Sequence, residues 1–476
     1  MPGCYETATV YERRVNDSTG CQPNWTDRPK TGRLIRHTVQ GVNGRDEFVL
    51  RTVEERGVRF IRLWFVDVLG LLKSFSIPVS ELESALEEGV GLDGSSLEGA
   101  SRLREHDVIA HPDPRTFQVL PWKPDSLVAR MFCDVRQPDD GPFGGDSRAT
   151  LRRVLEHAAA LGYTMQVGCE VEFFIFGALG TNGAVPTTLD DGAYFDLTPL
   201  DVGSDFRRRT IEYLEQMGIP VKASHHEVAP SQHEIQLAHT DGLSMADSIS
   251  TFRIAVKEAA HELGAYATFM PKPLAAHPGS GMHLHISLFE GERNAFHHTD
   301  AETPLSPTGR AFLAGVLAHA CELTAVTNQW INSYRRLATG FEAPEFVSWT
   351  RRGAAALVRV PSRRPGRAEA TRFELRSPDP ACNPYMVLAL VLAAGLRGIE
   401  RGYELQAESI DDAPNGAPRL PLDLREATDL FDASELARET LGDRLVDVFV
   451  ANKRRELDDE RRTVTEFDRT RYLRLL

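Results

Sequence analysis

Three short alternating segments decide the fold of this chain: Gly168–Phe174 (GCEVEFF), Gly281–Ser287 (GMHLHIS) and Arg372–Arg376 (RFELR). Polar or charged residues occupy every second position, which predicts β-strands because successive side chains of a strand point to opposite faces. One sheet face would then carry acidic, histidine, serine and arginine side chains: Glu170, Glu172, His283, His285, Ser287, Arg372, Glu374 and Arg376. Residues two apart on one face lie roughly 6.5–7 Å apart, which suits neighbouring metal ions better than one. The segments therefore predict a site for metal ions and anionic substrates.

Length and composition are those of an ordinary globular protein with a large core. The chain has 476 residues, of which 42% are apolar and 26% charged, and this length predicts two domains or one large and one small domain. The net charge of −14 argues against nucleic acid or an anionic membrane as a partner. Arginines nevertheless cluster between Arg335 and Arg376, which favours phosphate or carboxylate binding there.

Cysteine usage and hydropathy predict a cytoplasmic location. The six cysteines are scattered and include no Cys-x-x-Cys pair, which favours free thiols in a reducing compartment over a disulfide framework. No apolar signal-peptide segment is visible near the N-terminus. The longest nearly apolar run, Tyr385–Leu396, is too short to span a bilayer and predicts a buried helix.

The order of segments along the chain predicts a flexible tail followed by two domains. Residues 1–45 are polar and aperiodic, and we interpret them as the tail. Residues 46–144 begin with a helix and a β-hairpin, and the glycine-rich Gly89–Ser96 segment predicts a loop. In residues 145–476 strands alternate with amphipathic helices such as Leu243–Leu263, whose apolar stripe ends at Leu263.

Two further glutamates, Glu227 and Glu234, lie in the segment His225–Glu234 (HHEVAPSQHE). The second histidine of a His-Glu-x-x-His motif is missing, which argues against a zinc peptidase. The predicted ligand set is rich in oxygen and combines one histidine with five glutamates: Glu170, Glu172, Glu227, Glu234 and Glu374. Such a set prefers Mg²⁺ or Mn²⁺ over Zn²⁺. Divalent ions held there would also bind a phosphorylated ligand, as in nucleotide-using enzymes.

Several motifs, in order along the chain, resemble those of one enzyme family. They are Leu92–Ser96 (LDGSS), the pair Glu170 and Glu172, Tyr194–Asp196 (YFD), His225–Glu227 (HHE) with Glu234, Lys272–His283 (KPLAAHPGSGMH), Asn332–Leu337 (NSYRRL), Phe341–Pro344 (FEAP) and Arg372–Arg376. With this set the chain resembles the glutamine synthetase family, bacterial class I type, over roughly residues 46–476. Some members of that family instead join glutamate to an organic amine.

The resemblance implies an α+β fold with a small N-terminal β-grasp-like domain, residues 46–144. A large catalytic domain, residues 145–476, would contain a curved antiparallel sheet flanked by helices. In the family the subunits form rings, usually two hexameric rings stacked as a homo-oligomeric dodecamer, and each active site lies between neighbours. ATP is the co-substrate, and two Mg²⁺ or Mn²⁺ ions are bound per site. The implied ligand groups are Glu172, Glu227 and Glu234 for one ion, and Glu170, His283 and Glu374 for the other.

The resemblance also implies roles in binding and catalysis. Arg336, Arg376 and the Gly279 backbone would bind L-glutamate, while His285, Ser287, Arg359 and Arg372 would bind ATP. Asp93 and Ser96 would reach in from the neighbouring subunit and form an ammonium pocket with Tyr194, Glu227 and Glu342. The glutamate γ-carboxylate would attack the γ-phosphorus of ATP, and Asp93 would take a proton from ammonium. Glu342 would cover the site, and the catalytic arginines Arg336 and Arg359 would stabilise developing charge.

One departure from the family pattern leaves the acceptor open. Ala354 occupies a position where an arginine normally contacts the transferring phosphate, and Arg351 or Arg352 could substitute for it. Three hypotheses follow. The chain is a glutamine synthetase that uses ammonia, or a γ-glutamyl ligase for an organic amine such as a polyamine or ethanolamine, or a non-catalytic paralogue. Retention of all six predicted metal ligands speaks against the third.

Overall fold

The structure is a computed structural model that describes residues 44–101, 105–123, 127–177, 186–197, 202–299, 305–338, 343–353, 355–409 and 416–476. The predicted tail, residues 1–45, lies almost wholly outside the described residues, and so do Glu342 and Ala354. A smaller and a larger sheet, both covered by helices, form an α+β architecture, as the sequence predicts.

The smaller sheet is built from the N-terminal part of the chain. Its strands are β1 (Phe60–Val66), β2 (Leu72–Pro78), β3 (Val90–Asp93), β4 (Asp107–Pro112), β5 (Gln118–Val119) and β6 (Val128–Arg136). Their order is β2-β1-β6-β4-β3, with β5 against β6, and within the described residues of this sheet only β1 and β6 pair in parallel. Helices α1 (Gly44–Arg56) and α2 (Leu82–Glu88) pack on this sheet through apolar side chains such as Val53 and Leu82.

The larger sheet carries all three of the alternating segments. Its strands are β7 (Thr164–Phe176), β8 (Val221–His226), β9 (Gln232–Asp241), β10 (Tyr266–Thr268), β11 (Met282–Glu290), β12 (Arg293–Asn294), β13 (Trp349–Thr350), β14 (Val358–Arg359) and β15 (Phe373–Leu375). The order is β13-β14-β15-β11-β7-β9-β8, with β10 beside β7 and β12 beside β11. Within the described residues the sheet is antiparallel except for the edge pair β13 and β14.

The described residues after β6 form ten α-helices, and the first three of them contact strands of the larger sheet. They are α3 (Ser147–Ala160), α4 (Val202–Gln216), α5 (Gly242–Glu262), α6 (Pro307–Thr327), α7 (Ile331–Leu337), α8 (Pro384–Arg401), α9 (Leu424–Asp432), α10 (Glu435–Leu441), α11 (Asp443–Arg462) and α12 (Glu466–Tyr472). The central α8 is the predicted buried helix, and its start follows from the sequence. The Asn383 side chain accepts hydrogen bonds from the first free backbone N–H groups, and Pro384 needs no N–H partner at that position. No helix within the described residues combines the length and the apolarity that a bilayer crossing requires.

Two local predictions were wrong. Gly89–Ser96 is not simply a loop, because Val90–Asp93 pairs with Asp107–Ala110 as an edge strand and a 3₁₀ turn follows. The glycines of this segment are typical of a loop, and they conceal a strand that pairs with the next strand along the chain. Leu263 ends the apolar stripe of α5 in the sequence, yet it is half exposed because the helix ends one residue earlier.

One buried arginine joins the smaller sheet to the helices of the larger domain. The Arg148 guanidinium, 2% exposed, donates to Asp247 on α5 through Nε and NH2, both at 2.9 Å, and also to Asp113 at 3.0 Å. It also pairs with Asp134 on β6. The Tyr385 hydroxyl of α8 donates to Asp247 at 2.7 Å, so three helices and two segments of the smaller sheet meet in one buried polar network.

We predict that Arg148→Met lowers the free energy of unfolding by about 3–5 kcal/mol, because it leaves the buried Asp247 without its arginine and removes one of the cations that pair with Asp113 and Asp134. Denaturant unfolding followed by intrinsic fluorescence measures the change. The control is Arg136→Met, which removes an ion pair with the exposed Asp140 and should leave the midpoint close to wild type. Equal midpoints for both variants would show that the network does not stabilise the fold.

Candidate active site

Strand register aligns the polar side chains of the larger sheet in rows. Glu170 of β7 lies directly opposite His283 of β11. In the next row, His285 of β11, Glu374 of β15 and Arg359 of β14 are paired in turn. Directly opposite residues of an antiparallel pair have their Cβ atoms about 4.5–5.5 Å apart, so their side chains can interact. The backbone pairing therefore brings five predicted site residues, from four strands, onto one face.

Glu374 is the most buried carboxylate of this face. It is 0% exposed, and its oxygens lie 2.6 Å from the Arg376 guanidinium and 2.6 Å from that of Arg359. Burial alone would raise the pKa of Glu374, but the neighbouring histidines and both arginines outweigh it and hold that pKa below its usual range. Glu374 is therefore ionised, and two arginines share its charge.

Glu170 lies between the two histidines of β11. Its oxygens are 3.3 Å from His283 Nδ1 and 2.8 Å from His285 Nε2. Burial raises the pKa of Glu170, but the two histidines lower it by more, and the result lies far below the ordinary range. Arg372 Nε donates to His285 Nδ1 at 3.1 Å, which places the proton of a neutral His285 on Nε2, toward Glu170. The carboxylate of Glu170 is thus ionised and partly exposed to the site.

A second group of carboxylate side chains lies where β7 pairs with β9, its neighbour on the side away from β11. Glu234 of β9 is paired with Glu172 of β7 and with His225 of β8. The His225 ring lies 3.1 Å from Glu234 and 3.4 Å from Glu227. Burial, together with repulsion from Glu227 and Glu234, raises the pKa of Glu172 to about 7 despite the nearby His283. The three carboxylates repel one another, and a cation bound between them would relieve that repulsion.

The donor sets fit divalent cations at two places. Within the described residues, three groups have candidate ligand atoms within 4.8 Å of one another: Glu170, His283 and Glu374; His225, Glu227 and Glu234; Asp190, His226 and His233. The first two are rich in carboxylate oxygen, as Mg²⁺ and Mn²⁺ prefer. In the third group, Arg207 lies 2.8 Å from His233 Nδ1, and this cation makes the group a poor metal site.

A cavity of about 130 Å³ opens beside both carboxylate groups, many times the space that one water needs. Its lining includes predicted metal ligands and predicted glutamate-binding residues: Glu172, Glu227, His283, Gly279, Arg336 and Arg376. Glycine is required in this wall because a Cβ on Gly279 would lie 2.2 Å from the Pro271 carbonyl oxygen. A Cβ on Gly281 would lie 2.7 Å from Arg336 NH2. The Gly-Ser-Gly loop thus packs directly against the arginine that faces the cavity.

The other predicted residues lie in three places. Ser287 is buried on β11, and the Tyr194 ring contacts His225 at 5.5 Å between centroids. Asp93 and Ser96 lie at the end of β3, away from the cavity lining. There the Asp93 carboxylate accepts hydrogen bonds from the backbone N–H and the hydroxyl of Ser95 at 3.0 and 2.7 Å. Glu342 lies outside the described residues, and its predicted role stays a prediction.

Sequence analysis missed two residues of the site. His225 lies two residues before Glu227 in the HHE motif, and this spacing could have identified His225 as a site residue. Gln232 donates to Glu172 and to the Gly279 carbonyl, both at 3.1 Å, so it joins a carboxylate to the glycine loop. No pattern in the sequence distinguishes Gln232, because this contact depends on how β9 packs against residues 279–281.

Comparison with known proteins identifies the family. The model of the glutamine synthetase catalytic domain matches residues 144–472, and that of the glutamine synthetase β-grasp domain matches residues 57–138. The chain is 51% identical over 441 residues to a glutamine synthetase of Mycobacterium tuberculosis H37Rv, covering 90% of this chain and 99% of that protein. It is 44% identical to a glutamine synthetase of Methanosarcina mazei, covering 90% and 98%. A solved GmaS complex with ADP has a TM-score of 0.81 at 32% identity, covering 90% of this chain and 99% of that chain.

The chain therefore belongs to the glutamine synthetase family and is an ATP-dependent ligase of the glutamine synthetase type, an enzyme of nitrogen metabolism. The predicted β-grasp domain is confirmed. Enzymes of this family depend on ATP and a divalent metal ion, which agrees with the two carboxylate-rich groups. The domain division between residues 144 and 145 stays a prediction.

We predict that Glu374→Gln weakens Mn²⁺ binding at least about tenfold and abolishes ATP-dependent turnover, because it removes a charged candidate ligand. Electron paramagnetic resonance titration of free Mn²⁺ measures the affinity. The control is Glu290→Gln at the far end of β11, where the glutamate pairs with Arg293 on the surface. Unchanged Mn²⁺ binding in Glu374→Gln would remove this residue from the metal site.

Proposed function

We propose that this enzyme joins ammonia to the γ-carboxylate of L-glutamate through a γ-glutamyl phosphate made from ATP. The observation that carries the proposal is the pair of carboxylate groups beside a small cavity that two arginines also line. Such a site can hold an amino acid with two carboxylates next to a polyphosphate only if cations and arginines balance the charge. The two arginines balance part of this charge, and the carboxylate side chains would bind the cations that balance the rest.

Two divalent ions, Mg²⁺ or Mn²⁺, are proposed cofactors. Glu170, His283 and Glu374 would hold one ion. Glu227 and Glu234 would hold the other, with Glu172 as the third ligand and His225 beside them. When bound, the ions offset the repulsion between the carboxylate of glutamate and the phosphates of ATP. Five of the six proposed ligands, all except Glu227, lie on paired strands, so they are positioned before any ion arrives.

L-Glutamate is proposed to bind in the cavity between the glycine loop and two arginines. Arg336 is fixed by its own donations to the backbone carbonyls of Ser377 and Arg376, at 2.8 and 3.1 Å. Nε of Arg376 is buried and has no hydrogen-bond partner among the described residues, so its N–H can donate a hydrogen bond to a substrate carboxylate. The Gly279 backbone lines the same wall and would contact the amino-acid end.

ATP is proposed to lie along the row that begins at His285. Arg372 bonds to His285 and Ser287 follows two residues later on β11, so the three residues form one polar edge. Arg359 pairs with Glu374 and is about one-third exposed, which leaves part of its guanidinium able to face a phosphate. In the proposed first step the γ-carboxylate oxygen bonds to the γ-phosphorus and ADP leaves. Arg359 stabilises the transferred charge.

Ammonium is proposed to bind between subunits of a homo-oligomer, a dodecamer of two hexameric rings. Asp93 and Ser96 lie away from the cavity of their own chain, which supports their acting in a neighbour's site. The Ser96 hydroxyl is buried without a partner among the described residues. Asp93 would accept a proton from ammonium, and the ammonia formed attacks the acyl carbon while phosphate leaves. Tyr194, Glu227 and Glu342 would complete the pocket, with Glu342 accepting a proton from the tetrahedral adduct.

An organic amine is the second candidate acceptor, because Ala354 replaces an arginine and leaves room. One proposed substitute is otherwise engaged: Arg351 Nε donates to Glu408 at 2.7 Å, on the segment after α8. Arg352 is exposed and remains a candidate. If no cation replaces the missing arginine, phosphate transfer would slow, and the choice of acceptor would depend on the amine pocket.

The direct test is phosphate release from ATP by purified protein with Mg²⁺ and L-glutamate, comparing ammonium with a panel of polyamines and small amines. We expect turnover with ammonium and a glutamine product detected by mass spectrometry. Turnover only with an organic amine would move the enzyme to γ-glutamylamide synthesis. The absence of turnover with every amine would leave only the hypothesis of a non-catalytic paralogue.

We also predict that Asp93→Asn raises the KM for ammonium at least about tenfold with little change in the KM for ATP, because an amide cannot take the proton. The comparison variant is Asp107→Asn, its exposed neighbour across β3 and β4. Steady-state kinetics in each substrate separates the constants. Equal losses in all substrates would instead indicate a damaged subunit interface.

A further inference from the structure

Helix α11 touches two parts of the proposed machinery through neighbouring residues. Asn452 and Lys453 are adjacent in sequence, yet both are buried, at 4% and 0% exposed. Successive helical residues point about 100° apart, so the two side chains meet different segments. One segment follows the Asp93 turn, and the other begins the helix that carries Arg336.

Asn452 holds the segment that follows Asp93. Its Oδ1 accepts a hydrogen bond from the Ala100 N–H at 2.9 Å, and its Nδ2 donates to the Glu98 carbonyl at 2.9 Å. Gly99 between them has φ +66°, and a Cβ there would lie 2.8 Å from Asn452 Oδ1. Arg444, two turns earlier, donates to the Glu98 carboxylate at 2.7 Å. The 3₁₀ turn that carries Ser96 is therefore tied to α11 by both backbone and side-chain bonds.

Lys453 and Glu456 hold the start of α7. The Lys453 ammonium donates to the Gln329 carbonyl at 2.7 Å and to Glu456 at 3.0 Å, and it lies 4.0 Å from the centre of the Trp330 ring. The other Glu456 oxygen accepts from the Ile331 N–H at 3.1 Å. Ile331 is the first residue of α7, an N–H that has no partner inside the helix. Arg336 is five residues further along the same short helix.

We propose that α11 is a positioning element for the reaction, holding the turn of Asp93 and the helix of Arg336 in fixed relation through Asn452 and Glu456. This inference rests on the proposed function, in which Asp93 handles ammonium and Arg336 binds glutamate. Because Asp93 would act in the neighbouring site, one helix sets the glutamate geometry of its own site and the amine geometry of the next. Neither Asn452 nor Glu456 touches a substrate in this account.

The test compares Asn452→Ala with Glu456→Ala, each serving as the control for the other. Glu460→Ala on the exposed side of α11 controls for helix effects. Amide hydrogen exchange read by mass spectrometry should accelerate in residues 94–100 for Asn452→Ala only, and in residues 331–337 for Glu456→Ala only. If Asn452→Ala does not fold, Asn452→Asp replaces it, since it keeps the acceptor for Ala100 and loses the donation to the Glu98 carbonyl.

Kinetics supply the second readout. Asn452→Ala should raise the KM for the amine about tenfold and leave the KM for glutamate within about twofold, and Glu456→Ala should do the reverse. If a folded variant raises the KM for the amine and the KM for glutamate together, or if hydrogen exchange is unchanged in both segments, the inference is wrong. If the wild-type enzyme shows no turnover with any amine, the proposed function is wrong. The hydrogen-exchange data alone then decide whether α11 holds the two segments.

Discussion

A buried carboxylate must be compensated, and the larger sheet is arranged around that requirement. Glu374 has no exposed surface, and the neighbouring His283 and His285 together with Arg376 and Arg359 offset the cost of burying its charge, while Glu170 relies on His283 and His285. Moving such a charge out of water without partners costs several kcal/mol or more. Strand register delivers those partners, because a slip by one residue would turn every polar side chain of the face into the apolar core. The fold and the site are therefore specified by the same alternation.

The helical layer turns this face into a working site by fixing what surrounds it. Arg148 joins the smaller sheet to α3 and α5, and α11 joins the Asp93 turn to the start of α7. Both connections use buried polar groups whose partners lie on other segments, which makes them specific in geometry. The proposed acyl phosphate intermediate would need such fixed walls, because an error of about 1 Å in position can cost about a hundredfold in rate.

Sequence alone predicted the central strands and most of the side chains that share the face, because period-two alternation at Glu170, His283 and Glu374 has a direct structural meaning. It did not predict that Val90–Asp93 forms a strand, since the glycines of this segment are typical of a loop. Contacts such as those of Gln232 and Asn452 were out of reach for a different reason. Their partners lie far away along the chain, and no local pattern shows them. The roles assigned through family resemblance to Asp93, Arg336 and the ATP-facing residues remain predictions.

The central claim is that this face holds two divalent ions in two carboxylate groups. A crystal of the enzyme grown with Mn²⁺, with anomalous scattering measured near the manganese edge, tests it most directly. The account predicts two anomalous peaks, one among Glu170, His283 and Glu374 and one against Glu227 and Glu234. A single peak, or a peak at the Asp190, His226 and His233 group instead, would contradict it.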